Sequence, residues 1–158
     1  MSRPASAAPA PATLVTREYP AQPITGVGVV VWHGDRLLLV QRARPPRQGQ
    51  WSLPGGGQQL GETLTEAARR EVKEEAGLEV ELGEMIATLD LIERDAEGRV
   101  RYHYVLIDFV AEAASFDLRP GDDAADARWV TIEEAERLGL WSDTLRVIRL
   151  ARDQRSCR

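Results

Sequence analysis

The stretch that decides the fold covers residues 56–78 and reads GGQQLGETLTEAARREVKEEAGL. Thr63 followed three residues later by Glu66 is a capping-box pattern, which marks the start of a helix. Gly77 is a typical residue for ending a helix. The stretch therefore predicts a glycine-rich loop, a helix over about residues 64–76, and a second loop.

One face of the predicted helix combines apolar residues with carboxylates. At about 100° of rotation per residue, Leu64, Ala68 and Val72 share one arc, which should pack against a sheet. Glu71 and Glu75 lie at the edge of that arc. We therefore expect both glutamates to point inward or into a cleft.

The charge on this face needs compensation. Glu74 adds a third carboxylate within two turns of the helix, and like charges at this spacing repel one another. Arg69, Arg70 and Lys73 are predicted to lie on the other side, which leaves protonation or a bound cation. Carboxylate oxygens suit Mg²⁺ or Mn²⁺. The alternative is an ordinary solvated acidic face.

The order of glycines and charged residues in this stretch resembles the signature of the Nudix hydrolase family, the Nudix box. The fixed positions of that signature are matched by Gly56, Glu62, Arg70, Glu71, Val72, Glu74, Glu75, Gly77 and Leu78. The lead-in at residues 51–55 is also similar, and the likeness extends from about Tyr19 to Leu150. Residues 92–95, 102–109 and 121–129 resemble the small bacterial ADP-ribose pyrophosphatase-like branch.

The resemblance implies an α/β/α sandwich around a mixed β-sheet, in which the loop, helix and loop carry the metals. It implies a Mg²⁺ cofactor, for which Mn²⁺ can substitute. The implied metal ligands are the Gly55 carbonyl and the carboxylates of Glu71, Glu74 and Glu75. The implied structural members of the motif are the orienting pair Arg70 and Glu62, with Gly56 and Gly77.

The catalytic base is implied to be an acidic residue. The candidates are Glu74, Glu71 and Asp123, which occupies a position in an acidic loop where many Nudix enzymes carry a residue that reaches the metal site. Asp122 and Asp126 are close rivals of Asp123. The alternative is a solvated acidic turn without a role.

Substrate contacts are predicted around the loop that precedes the glycines. Arg42 and Arg44 stand at its mouth, and arginine can grip phosphate through two parallel hydrogen bonds. Trp51 could stack on a base, and Gly57 belongs to a glycine run that lets phosphate approach the backbone. The alternatives are two surface arginines and a tryptophan that packs in the core.

These residues imply a hydrolase that cleaves the diphosphate linkage of a nucleoside diphosphate derivative. The leading substrate is ADP-ribose, which would give AMP and ribose 5-phosphate. An alternative is a pyrophosphohydrolase that removes oxidised nucleoside triphosphates from the nucleotide pool. Another is a non-catalytic nucleotide-binding module, but such a module should lose box carboxylates that this chain keeps. A homodimer is a candidate assembly, because similar enzymes are often dimers.

Composition restricts the class of protein. A formal charge of −5 disfavours nucleic acid polymers as partners, because the chain lacks a broad positive field. No run approaches the roughly 20 apolar residues of a membrane-spanning helix. Cys157, the only cysteine, rules out an intrachain disulfide and fits a cytoplasmic location. Residues 1–18 are predicted to form a flexible Ala/Pro-rich tail, and residues 19–158 a single domain.

The remaining elements follow from hydrophobic patterning. Strands are predicted at residues 24–32, 36–41, 51–53, 78–92, 100–110 and 127–130. Pro54 and the glycine run are expected to stop the third strand. Thr131 and Glu134 predict a short helix, and a last helix should begin at Ser142 or Asp143 with Leu145, Ile148 and Leu150 inward.

Overall fold

The computed structural model describes residues 16–121 and 124–158. Within them, the chain forms four strands, a helix, three more strands and two more helices. The strands are β1 (Ile24–His33), β2 (Arg36–Arg42), β3 (Trp51–Ser52), β4 (Gly55–Gly57), β5 (Val80–Arg94), β6 (Val100–Ala113) and β7 (Ala124–Val130). The helices are α1 (Leu64–Ala76), α2 (Ile132–Glu136) and α3 (Ser142–Ser156).

The strands of the described residues form one mixed sheet in the order β3-β2-β1-β6-β5, with β4 beside β1 and β7 beside β2. The pair β1–β6 is parallel, and the other pairs are antiparallel. Val29, Val30 and Val31 of β1 are fully buried. A continuous apolar run is typical of a strand covered on both faces, which explains the central position of β1.

The two faces of the sheet carry separate apolar clusters. On one face, small residues of α1 such as Ala68 pack with Val72 against Val29. On the other face, Val147 and Ile148 of α3 pack against β1 and β2. The predicted α/β/α sandwich around a mixed sheet is confirmed.

Helix α1 follows the prediction in both its limits and its caps. The Thr63 side chain accepts a hydrogen bond from the Glu66 backbone, and the Glu66 side chain accepts one from the Thr63 backbone. Gly77 ends the helix in the left-handed conformation, at φ 71°, and its N–H donates to the Lys73 carbonyl. These are local interactions, which is why a short sequence pattern predicts them.

Three predictions about other elements were wrong. Strand β3 does end before Pro54, but the glycine-rich loop expected after it is instead strand β4, which pairs with β1. Strand β7 begins at Ala124, three residues before the predicted start, because its first residues pair with β2. Leu150 is 42% exposed, since the inward face of α3 is formed by Val147, Ile148 and Ala151.

The N-terminal tail predicted for residues 1–18 lies partly outside the described residues, which begin at Thr16. Glu18 forms an ion pair of 2.8 Å with Arg101 of β6. No helix in the described ranges is long and apolar enough to cross a membrane.

Candidate active site

The three glutamates of α1 differ in exposure. Glu71 is 9% exposed, Glu75 is half-buried, and Glu74 faces solvent. A carboxylate oxygen of Glu75 accepts a hydrogen bond of 3.1 Å from the Gly55 N–H. Helix α1 and strand β4 therefore meet at these side chains, since Glu71 also contacts the neighbouring glycine, Gly56.

Arg70 connects the glycine-rich loop to this acidic face. Its Nε and Nη2 donate to the two oxygens of Glu62, at 2.6 and 3.1 Å. Its Nη1 donates to Glu71 at 2.8 Å and to Glu74 at 3.1 Å, and Nη2 also donates to the Gly57 carbonyl at 3.0 Å. The prediction that no arginine would reach these carboxylates was wrong, because the long side chain of Arg70 bends back around the helix.

Burial and ion pairing act on these groups in opposite directions. Burial raises the pKa of the Glu71 carboxyl, and the hydrogen bond from Arg70 partly offsets that rise. The same arginine lowers the pKa of Glu62 by hydrogen bonding. Glu62 is therefore held as a carboxylate, whereas Glu71 is a buried acid whose ionised form a nearby cation would stabilise.

Gly56 is required by the close approach of Glu71. A Cβ placed on Gly56 would lie 2.4 Å from Glu71 Oε1. The sequence predicts that the glycine run leaves room for a phosphate to approach the backbone. In this structure, the room at Gly56 is taken by the carboxylate itself, which lies against the backbone of β4.

A cavity of about 1020 Å³ opens in front of these glutamates. It is lined by the acidic face of α1, by the glycines of β4, by the loop after β2 and by one end of the sheet. The structure brings to this cavity the predicted residues Arg42, Arg44, Trp51, Gly55, Gly56, Gly57, Glu62, Arg70, Glu71, Glu74 and Glu75. Gly77 lies outside it, at the end of α1.

The predicted substrate contacts also have structural partners. Arg42 Nε donates to the Pro46 carbonyl at 2.7 Å, and burial lowers the pKa of this guanidinium. Trp51 is half-buried and packs against the apolar cluster formed with Val147 and Ile148 of α3. The guanidinium carbon of Arg128 lies 4.3 Å from the centroid of the Trp51 ring. Trp51 therefore packs in the core, as one alternative predicted, and also lines the cavity, where the other alternative placed it.

Arg17 and Asp108 are among the cavity residues that the sequence analysis did not single out. Arg17 was assigned to the tail, yet it lines the cavity. Asp108 was assigned no role, yet it is 3% exposed, and its Oδ2 has no hydrogen-bond partner among the described residues. The available signal was a single aspartate inside the apolar run of β6, a position where an acidic residue is rare.

The donor chemistry fits a hard divalent cation, although the arrangement is not preformed. Three carboxylates and the backbone of Gly55 offer oxygen ligands on one wall of the cavity, as such ions require. In the described part of the chain, however, no three acidic, histidine or cysteine side chains already converge as a metal site. Arg70 pairs with one oxygen of Glu71 and one of Glu74, so a cation at this wall would share these carboxylates with the arginine.

Of the three aspartates considered as catalytic base in the acidic loop, the structure describes only Asp126. Asp122 and Asp123 lie outside the described residues, so the role of Asp123 stays a prediction. Asp126 belongs to β7, where its Oδ1 accepts from the N–H of Ala127 and its Oδ2 lies 3.5 Å from Arg128.

The glycine-rich strand, the capped helix and their glutamates have a counterpart in known proteins. The NUDIX domain family model matches residues 22–151 of this chain. The chain belongs to the Nudix family. The match begins just before β1 and ends within α3, so it includes both layers of helices around the sheet.

Individual Nudix relatives are moderately similar. The ADP-ribose pyrophosphatase of Methanocaldococcus jannaschii is 31% identical over 116 residues, which cover 73% of this chain and 66% of that protein. The nucleoside triphosphatase NudI of Enterobacter sp. (strain 638) is 36% identical over 118 residues, covering 70% of this chain and 84% of that protein. This chain thus spans just under two thirds of the length of the first relative.

A solved Nudix structure shows the same fold. The MutT Nudix hydrolase from Burkholderia pseudomallei superposes with a TM-score of 0.70 at 29% sequence identity. The superposition covers 82% of this chain and 98% of that one.

Proposed function

We propose that this chain hydrolyses the diphosphate linkage of a nucleoside diphosphate derivative, with ADP-ribose as the leading substrate and AMP and ribose 5-phosphate as products. The observation that carries the proposal is the acidic wall of the cavity, where Glu71, Glu74 and Glu75 meet the glycines of β4. A Nudix relative named ADP-ribose pyrophosphatase supports the choice of substrate.

Glu71, Glu74, Glu75 and the Gly55 carbonyl would hold the cation, Mg²⁺ or Mn²⁺. When bound, the cation neutralises charge on the diphosphate and makes water a better nucleophile. Glu71 is buried against Gly56, so its orientation is fixed before substrate arrives. Arg70 and Glu62 hold the glycine-rich loop against α1 and so keep this wall in place.

The arginines of the cavity would bind the phosphates. Arg17, Arg42, Arg44 and Arg47 line the same cavity as the acidic wall. A guanidinium presents several N–H donors in a planar fork that matches phosphate oxygens. A chain with a net charge of −5 thus still offers a local positive region to an anionic nucleotide.

A second candidate function is hydrolysis of a nucleoside triphosphate, including an oxidised one, to the monophosphate and pyrophosphate. The similarity to the Enterobacter nucleoside triphosphatase, over most of that protein's length, favours it. Both reactions use the same acidic wall and differ in what occupies the rest of the cavity.

The experiment that tests the function is a phosphate-release assay with the purified chain, Mg²⁺ and a panel of nucleotides. With ADP-ribose, phosphate should appear only when alkaline phosphatase is added, because the intact diphosphate resists that enzyme and the products do not. With a nucleoside triphosphate, phosphate should appear only with added inorganic pyrophosphatase. Turnover of neither class would overturn the proposed function.

The base role of Asp123 is tested by substitution. If Asp123 accepts the proton from water, Asp123→Asn should lower kcat by roughly 100-fold with little change in KM. Asp126→Asn is the matched control, because Asp126 pairs within β7, and it should have a mild effect. A rate within about threefold of the parent for Asp123→Asn would assign the base to Glu74 or Glu71.

A further inference from the structure

A short segment before β1, the strap of residues 17–19, is fastened to the hairpin that β5 and β6 form. The Tyr19 N–H donates to the Arg101 carbonyl at 2.8 Å, and Glu18 forms an ion pair of 2.8 Å with the Arg101 guanidinium. The Tyr19 hydroxyl donates to Asp95 at 2.9 Å. The strap is therefore held by β6 and by the turn that precedes it.

The backbone of the strap is also fixed at Tyr19. This residue adopts the left-handed conformation, at φ 50°, which is uncommon for residues other than glycine. Such a conformation costs energy and persists where surrounding contacts hold it. The guanidinium carbon of Arg99 lies 5.2 Å from the centroid of the Tyr19 ring and adds one such contact. The direction in which the chain leads back to Arg17 is therefore defined.

The strap brings Arg17 to the cavity. Arg17 lines the cavity, whereas Glu18 and Tyr19 do not. Burial is the largest influence on the pKa of both Glu71 and Tyr104 and raises it, and the charge of Arg17 opposes that rise at each group. Arg17 therefore lies within electrostatic range of the acidic wall and of β6, at the place where a diphosphate bound to the wall would lie.

Arg17 differs from neighbouring cavity arginines in its hydrogen bonding. Arg42 donates to the Pro46 carbonyl at 2.7 Å. Arg47 donates to Glu93 at 2.9 Å. No hydrogen bond or ion pair joins the Arg17 side chain to another residue of the described chain. Its guanidinium therefore keeps its N–H donors for a bound anion.

We propose that Arg17 binds a phosphate of the substrate and that the strap positions it, so that affinity for the diphosphate depends on contacts outside the cavity. The strap precedes residues 22–151, which the Nudix family model matches. This chain would thus add to the site a phosphate contact from its own N-terminal segment. The identity of the ligand as a nucleoside diphosphate derivative rests on the proposed function.

Substitution of Arg17 tests the phosphate contact. With the substrate that the nucleotide panel selects, Arg17→Ala should raise KM about tenfold or more and change kcat little, because the contact is made both before and during the reaction. Arg17→Lys keeps the charge and should retain part of the affinity. Arg17→Ala should not change unfolding in urea, because its side chain has no hydrogen bond to lose in the described part of the chain.

Arg137→Ala is the matched control for Arg17→Ala. Arg137 is exposed, as Arg17 is, but it lies at the end of α2 and does not line the cavity. The control should keep the parent KM and kcat. A KM that is unchanged in Arg17→Ala, or a fall in kcat alone, would overturn the inference.

The positioning role is tested by loosening the strap without altering the cavity. The double variant Glu18→Gln with Tyr19→Phe removes the ion pair to Arg101 and the hydrogen bond to Asp95. It should raise KM about threefold in the parent, since exposed contacts of this kind are weak. In the Arg17→Ala background it should leave KM unchanged. An equal rise in both backgrounds, or no rise in the parent, would overturn the positioning role.

Calorimetry without Mg²⁺ records affinity independently of turnover. The ligand is the selected nucleotide, or ADP-ribose where the panel selects none, and Arg17→Ala should weaken its binding about tenfold or more. Hydrolysis by the parent without an effect of Arg17→Ala on KM or affinity removes only this inference. A parent that neither hydrolyses any nucleotide of the panel nor binds ADP-ribose removes the proposed function and this inference together.

Discussion

Glu71 and Asp108 are the charged side chains that the described part of the fold buries. Glu71 has a partner in Arg70 at 2.8 Å, whereas Asp108 Oδ2 has none among the described residues. Burial raises the pKa of both carboxyl groups. The difference in partners makes Asp108 the group whose ionisation should oppose folding more strongly.

Asp108 should make stability depend on pH. Its pKa of about 6 in the folded protein exceeds the ordinary 3.8, so the stability it contributes is present at pH below 3.8 and is lost as pH rises through 6. Relative to the parent, Asp108→Asn should therefore gain up to about 3 kcal/mol in the free energy of unfolding between pH 4 and pH 8. Urea unfolding at both pH values measures the gain. A constant difference, equal to that of the control Asp90→Asn at an exposed position of β5, would contradict it.

Arg70 should stabilise the fold through the planar geometry of its guanidinium group as well as through its charge. Arg70→Lys keeps the charge but cannot make the paired hydrogen bonds to Glu62 while also reaching Glu71. We expect a loss of about 1–2 kcal/mol in the free energy of unfolding in urea. The control Arg152→Lys, at an exposed pair with Asp153, should change it by less than about 0.5 kcal/mol. Equal losses in the free energy of unfolding for Arg70→Lys and the control would mean that the guanidinium geometry of Arg70 has no special role.

The direction of a side chain could be predicted from sequence where it depends only on the residue's position along one helix or strand. The inward direction of Glu71 follows from helical rotation alone. The reach of Arg70 does not, because rotation describes Cα–Cβ directions and a long side chain can bend back around the helix. The lone aspartate in the apolar run of β6 marks Asp108 as unusual, but its place in the cavity could not be predicted, because its environment is made by β1 and β5, which the sequence of β6 does not specify.

Among the elements, α1 carries the acidic wall, and its first turn is fixed by the capping box. The Thr63 hydroxyl accepts from the Glu66 N–H at 3.1 Å. Thr63→Ala should lower the free energy of unfolding by about 1 kcal/mol. The control is Thr65→Ala, since Thr65 is exposed and its hydroxyl contacts only that of Thr63 in the described bonds. A loss at Thr65 as large as that at Thr63 would contradict the capping role.

Elements with a local sequence signal were predicted, whereas strand β4, which is defined by its distant pairing, was not. Helices α1 and α2 begin with capping boxes, which are contained in four residues. Strand β4 consists of three glycines, whose sequence favours a turn. It pairs with β1 because the chain brings the two segments together and Gly55 fits against the Val27 carbonyl, where a Cβ would lie 2.0 Å away. Side-chain patterns carry no information on such pairing.

At the scale of the whole molecule, the cavity joins parts of the chain that are far apart in sequence. The arginines come from the N-terminal segment, the end of β2 and the loop after it, the glutamates from α1, and Asp108 from β6. The Nudix box predicts the acidic wall. The rest of the cavity lining could not be predicted in the same way, because it depends on how the strands of the sheet are assembled. We therefore expect substrate choice to depend on the part of the site that the motif does not describe.

The most direct test of the central claim is Mg²⁺-dependent hydrolysis by the parent protein, Glu71→Gln and Glu75→Gln, with the substrate that the nucleotide panel selects. Glu79→Gln is the control, because Glu79 is exposed, pairs with Lys73 and lies outside the cavity. Both cavity variants should lose about 100-fold or more in kcat, while the metal-free proteins stay folded and the control keeps the parent rate. Near-parent hydrolysis by either cavity variant would contradict the assignment of the acidic wall.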